Sequence, residues 1–135
     1  GDTFRWKGEN VSTFEIAEAL NAVPGVVDAT AYGVVVPGAD GRAGMATLVI
    51  APDFDLKLLH ARLGALLPSY ARPLFLRISA EIEATETFKQ KKAQLAREGF
   101  DPGKIEDQLY LDDGIGYVPL DADLFAKISA GEVRL

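Results

Sequence analysis

Polar and apolar positions alternate at the start of the chain, and further along they recur at helical spacing. In Thr3–Trp6, Phe4 and Trp6 fall on one side and Thr3 and Arg5 on the other, the period of a strand. Lys7-Gly8-Glu9-Asn10 then reads as a turn, because Gly8 and Asn10 both tolerate positive φ. The chain resumes at Val11, so a small hairpin is predicted. Ser12-Thr13-Phe14-Glu15 is a capping box, with Val11 set to pack on Ile16 as a staple. The helix runs through Ala17 and Leu20 and stops near Asn21, ahead of Pro24-Gly25.

Residues 27–36 are rich in Val, Ala, Thr and Tyr and predict a strand. Residues 37–44, with their Gly, Pro and Asp, predict a loop, and residues 45–51 a second strand antiparallel to the first. Leu56, Leu59, Leu63, Leu66 and Leu67 recur at helical spacing, so a helix is expected over residues 55–67, closed by Pro68. Residues 68–73 read as a stiff extended connector, since each proline pushes its predecessor out of the helical region. A third strand is expected over residues 74–79, a helix over residues 88–98 stopping at Gly99, and a short strand near residues 108–111. Asp121 caps a last helix carrying Leu124, Phe125 and Ile128, which ends near Gly131. The expected architecture is a small α+β domain: a three-stranded sheet flanked by helices, with an N-terminal β-hairpin.

Composition narrows the chemistry. The 135 residues are 48% hydrophobic and 25% charged, enough for one domain with its own core. A net charge of −6 argues against a general nucleic-acid binder. With no cysteine and one histidine, disulfides, thiol catalysis and multi-histidine metal sites are out. No apolar run reaches the ~18–20 residues of a membrane span. The N-terminal decapeptide GDTFRWKGEN has no signal-peptide core and no initiator methionine, and the expectation is a domain cut from a longer protein.

Against that acidic background, TETFKQKK at residues 85–92 concentrates Lys89, Lys91 and Lys92. Thr87 and Gln90 read as a capping box, which puts Lys89 in the first turn of a helix. A cation at that positive end is disfavoured by roughly 0.3–1 kcal/mol. A charge run is most often a solvated face, yet a local rule broken without local gain also marks working residues, and both readings stay open. Other candidates are bland. Glu81 and Glu83 read as solvated, and Asp112-Asp113-Gly114 lacks calcium-loop spacing. His60 reads as a surface or half-buried histidine with no partner evident in the sequence. Gly38, Gly41 and Gly44 join two strands and do not match a phosphate loop.

Taken together, several segments resemble one family. GDTFRWKGENVST, YGVVVPGADGRAGMA, LPSYARPLFLRI, TETFKQKK, EGFDP and YVPLDADLF are similar, in order, to the C-terminal domain of adenylate-forming acyl-CoA synthetases. The wording is closest to the fatty acid transport protein, or very-long-chain acyl-CoA synthetase, branch. The resemblance implies that residues 1–135 are a mobile C-terminal domain whose partner is its own N-terminal ATP- and acyl-binding domain, not included in this sequence. It implies a fatty acid CoA ligase using ATP, Mg and coenzyme A, none of them held tightly by this stretch alone, which is expected to be inactive by itself. In that resemblance Lys89 falls on the family's catalytic lysine. Lys7 and Gly8 fall on the hairpin that lines the pantetheine tunnel, and Asp2 lies beside the hinge. Lys91 and Lys92 then read as solvent-facing support. Glu86 stands where the branch carries glycine, which puts a carboxylate three residues from Lys89. Rival readings are a ligase for a bile-acid or carnitine-like carboxylate, and a non-catalytic interaction module. The implied location is the cytoplasm or the cytoplasmic face of a membrane, with membrane association left to parts of the protein not in this sequence.

Overall fold

The computed structural model describes residues 2–80 and 88–135; the Thr87 half of the proposed capping box, Glu81, Glu83 and Glu86 lie outside them. Strands β1 (Thr3–Trp6) and β2 (Glu9–Ser12) form the expected hairpin, with Phe4 opposite Val11 and Trp6 opposite Glu9. Its turn is shorter than the sequence suggests: only Lys7 and Gly8 lie between the strands. Both have positive φ, +50° and +80°, as a two-residue type I′ connection requires. Helix α1 (Thr13–Asn21) starts at the predicted cap, where Ser12 accepts from the Glu15 N–H at 3.3 Å. Val11 and Ile16, the predicted staple, are both in the core.

Strands β3 (Val26–Val34) and β4 (Ala43–Ile50) are antiparallel, with a bulge between Val26 and Asp28. Helix α2 (Leu56–Leu66) is capped by Asp55 and carries the chain across to β5 (Phe75–Ile78), which runs parallel to β4. A long crossover is what a parallel pair needs. The connector is not extended throughout, because Ser69–Ala71 closes a 3₁₀ turn. Leu67 and Arg72, the residues before the two prolines, are extended as the proline rule demands, and the three residues between are free to curl. Helix α3 (Phe88–Glu98) follows, then β6 (Gln108–Asp112), β7 (Tyr117–Pro119) and α4 (Ala122–Ser129), the last capped by Asp121 at 2.8 Å.

The three-stranded sheet expected from the sequence is therefore five-stranded, in the order β3-β4-β5-β6-β7. β6 pairs antiparallel with β5, and β7 closes a hairpin on β6. Three residues ending in a proline carry too little alternation to be read as a strand; Pro119 is tolerated because β7 is the outer strand. The core lies on the central strands, where Met45, Leu48, Phe75 and Leu76 are fully buried in one cluster with Leu59 and Leu63 of α2 and Leu20 of α1. Phe100 stacks on Phe75 at 4.0 Å and meets Phe125 of α4 edge-on, which fastens the segment after α3 to the sheet.

The hairpin docks on the sheet through a notch. Gly33 and Gly44 are cross-strand partners in β3 and β4, and Phe4 lies over them. A Cβ added at Gly33 would come within 2.9 Å of Phe4 Cβ and Cγ, and one at Gly44 within 3.2 Å of Phe4 Cζ. Backbone contacts continue the attachment: Arg42 N–H donates to the Arg5 carbonyl at 2.8 Å, and Trp6 bridges Gly41.

Candidate functional site

The hairpin tip borders a cleft of about 450 Å³ shared by Arg5, Trp6, Lys7, Gly8 and the Asp40-Gly41 end of the β3–β4 loop. Trp6 is buried, and the Lys7 ammonium lies 5.9 Å from the centre of its ring, a cation–π distance that draws the stem back along the hairpin. A Cβ at Gly8 would meet nothing within 4 Å, so the backbone there faces open space. Gly41 is held the other way: a Cβ would sit 2.1 Å from the Arg5 carbonyl oxygen.

Lys89 is exposed in the first turn of α3, on the rim of a second and larger groove of about 940 Å³ between α1, β3 and α3. Phe4, Phe14, Ala17, Ala93 and Ala96 give it an apolar lining, and Arg42, Lys89 and Lys92 give it a cationic edge. Asp2 lines the same groove. Lys89 and Asp2 are thus brought together, whereas Lys7 and Gly8 belong to the other cleft.

Lys92 departs from the solvent-facing role read from the sequence. Its side chain is only 16% exposed; the ammonium is paired with the Asp2 carboxylate and donates to Thr13 Oγ1 at 2.9 Å. Thr13 in turn donates through Oγ1 and its N–H to the Asp2 carbonyl, at 3.0 and 3.1 Å. The Lys92 hydrogen bond, opposed by partial burial, holds the Asp2 carboxyl below its usual range. Lys91 is also half-buried rather than solvent-facing. The signal for Lys92 was present in the helix: it lies three and four residues before Leu95 and Ala96, on the face that turns to the sheet.

The far end of α3 is fixed as well. Arg77 of β5 donates to Glu98 at 2.8 Å and to Asp107 at 2.7 Å. Burial works against that guanidinium's charge, but the two carboxylates outweigh it and keep its pKa above the ordinary value. His60, read as partnerless, bonds Asp112 at 3.0 Å and meets the Tyr117 ring edge-on at 5.4 Å. The partner is on β6, far away in sequence, which is why no local pattern shows it. Tyr117 donates to the Pro73 carbonyl at 2.6 Å, and Tyr32 pairs with Thr47 at 2.6 Å; burial pushes both phenols well above their usual range, so both serve as neutral hydrogen-bonding groups. Asp112 and Asp113 hold a plain turn: Asp112 accepts from Gly114 N–H, and Asp113 from Ile115 and Gly116 N–H. Among the described residues no group of three or more His, Asp or Glu converges as a metal site. Nor is any helix among them long and apolar enough to cross a membrane.

No protein-family model matches the chain. Over 139 aligned positions it is 49% identical to long-chain fatty acid transport protein 3 of Homo sapiens, an alignment that covers all of this chain. The chain belongs to the long-chain fatty acid transport protein family. It spans about a fifth of that relative's length. Among solved structures, a fatty acyl CoA synthetase from Mycobacterium tuberculosis matches this chain with a TM-score of 0.61 and 22% identity. That match covers 71% of this chain and 20% of the other. The o-succinylbenzoate CoA synthetase of Bacillus subtilis, solved with a product analogue, matches with a TM-score of 0.59 and 20% identity, over 70% of this chain and 20% of its own. The same enzyme in complex with an acyl-adenylate intermediate gives a TM-score of 0.51 at 22% identity, over 56% of this chain and 16% of its own. At these identities the likeness establishes the fold that this chain shares with such synthetases.

Proposed function

We propose that this chain is the mobile C-terminal domain, residues 1–135, of a fatty acid CoA ligase. The observation that carries the reading is the separation of the two candidate sites. Lys89 and the hairpin tip with Lys7 and Gly8 border different clefts of one small domain. Two sites on different clefts suit a domain that presents one in each half-reaction.

In the first half-reaction a fatty acid carboxylate oxygen attacks the α-phosphorus of ATP, and the bond to pyrophosphate breaks. Anionic groups must be driven together, and an ammonium on a long stem offsets that repulsion. Lys89, exposed on the rim of its groove, supplies it. In the second, the sulfur of coenzyme A attacks the acyl carbon, and the carbon–oxygen bond to AMP breaks. The open backbone at Gly8, with Lys7 beside it, gives the pantetheine arm a path past the hairpin. Asp2, beside the hinge, turns with the domain. Mg is expected to travel with ATP. The domain's partners are its own N-terminal domain, the fatty acid, ATP and coenzyme A, with the protein placed in the cytoplasm or on the cytoplasmic face of a membrane.

The test is to assay the half-reactions separately in the full-length protein. Lys89→Ala should abolish acid-dependent pyrophosphate exchange and leave thioester formation from preformed acyl-AMP largely intact. Gly8→Leu should do the reverse. Equal loss of both half-reactions in either variant refutes the assignment of that residue.

A further inference from the structure

We infer that Lys92 is a positioning residue for Lys89: with Asp2 and Thr13 it forms a latch that fixes the direction of α3 and ties it to the hinge-adjacent end of the chain. The inference rests on the reading of Lys89 given above.

Lys89 lies three residues before Lys92, on the same side of the helix by about one turn. Its ammonium works only where the axis of α3 aims it. That axis has a pin at its last residue, where Glu98 meets Arg77. Packing of Leu95 and Ala96 on the sheet holds the middle of the helix, but fixes the direction of its first turn less closely than a pin nearer to it would. Lys92 provides a second pin six residues earlier, about 9 Å along the axis, by pairing with Asp2 and bonding Thr13. Thr13 is buried and begins α1, so the second pin is anchored in the core. Without it, a tilt of roughly 10° about Glu98 would move the Lys89 backbone by about 2 Å. Misplacing a reacting group by 1 Å can lower a rate about 100-fold.

The latch has a second consequence. Asp2 holds α3 through its carboxylate and α1 through its carbonyl. A change in the backbone beside the hinge therefore reaches the helix that carries Lys89, so the angle of the domain and the aim of the lysine are set together.

The experiment uses the full-length synthetase and measures each half-reaction. Lys92→Met keeps the stem and removes the charge. It should lower kcat for pyrophosphate exchange by roughly tenfold or more, with KM for ATP and fatty acid nearly unchanged and thioester formation from acyl-AMP within about twofold. Lys92→Arg should recover most of the rate, and Asp2→Ala combined with Lys92→Met should be no slower than Lys92→Met alone. The melting temperature should fall by no more than a few degrees, since a partly exposed pair contributes little stability. Full pyrophosphate exchange in Lys92→Met, alongside its loss in Lys89→Ala, overturns the latch and leaves the proposed function standing. Loss of both half-reactions together, without rescue by arginine, reduces Lys92 to support of the fold and also overturns it. Unimpaired exchange in Lys89→Ala would instead remove the reading on which the latch rests.

Discussion

Replacing Gly33 by alanine should loosen the N-terminal hairpin, and the structure says by how much. Gly33 lies in β3 opposite Gly44, and the new methyl would sit 2.9 Å from Cβ and Cγ of Phe4 and 3.0 Å from Cβ of Arg42. The near atoms of Phe4 are the base of its side chain, so rotation about χ2 cannot relieve the contact. Overpacking of this kind costs about 1–3 kcal/mol. The φ at Gly33 is not in the left-handed region, so alanine also stiffens the unfolded chain, a gain of about 0.4–1 kcal/mol. The net expectation is a loss of about 1–2 kcal/mol in urea unfolding, and a melting temperature lower by about 5 °C. Phe4→Ala alone should cost about 3–4 kcal/mol, because a nearly buried ring leaves the notch empty. In the Gly33→Ala background the same truncation should cost at least about 1 kcal/mol less, since the methyl fills part of the vacated space. A more stable Gly33→Ala protein, or single effects that add within about 0.5 kcal/mol, would refute the notch as the hairpin's seat.

Three further outcomes follow from the same geometry. Gly41→Ala should destabilise by about 2 kcal/mol or more in urea, because φ is +74° and the methyl meets the backbone oxygen of Arg5 at 2.1 Å; no side-chain movement relieves it. Arg77→Met should lower unfolding free energy by about 1–3 kcal/mol at neutral pH, by leaving Glu98 and Asp107 facing one another. Amide exchange should show that loss as earlier opening at the C-terminal end of α3. The Asp2 carboxyl, followed by carbon NMR, should titrate below an ordinary aspartate. Its folded pKa is depressed, so its contribution to stability is complete above the unfolded value near 3.9 and is lost as pH falls through the folded one; Lys92→Met should return it towards that value.

Local chemistry made much of this molecule legible. The caps at Ser12, Asp121 and Gly99 and the leucine spacing of α2 set the helices to within a residue or two. The first hairpin followed from period-two alternation and its turn residues, and the β3–β4 hairpin from strand-favouring composition on either side of a Gly-, Pro- and Asp-containing loop. What escaped depended on partners distant in sequence. β7 is a strand only because β6 lies beside it, and His60 finds Asp112 only after α2 has packed against that edge. Lys92 is a mixed case: its spacing to Leu95 and Ala96 marks the side of α3 that turns to the sheet, but its partner Asp2 is supplied only by the return of the chain start.

The bulge at the start of β3 has a consequence for self-association. β3 is an outer strand, and an outer strand's unpaired N–H groups are a template on which a second chain can add. Between Val26 and Asp28 the register slips, and Asp28 turns its carboxylate back to accept the N–H of Ala29 at 2.9 Å. Part of the template is thereby occupied, and an exposed negative charge stands where an incoming strand would lie. Stacking of copies edge to edge is disfavoured at this end of β3, where exposed Val27 would otherwise invite it.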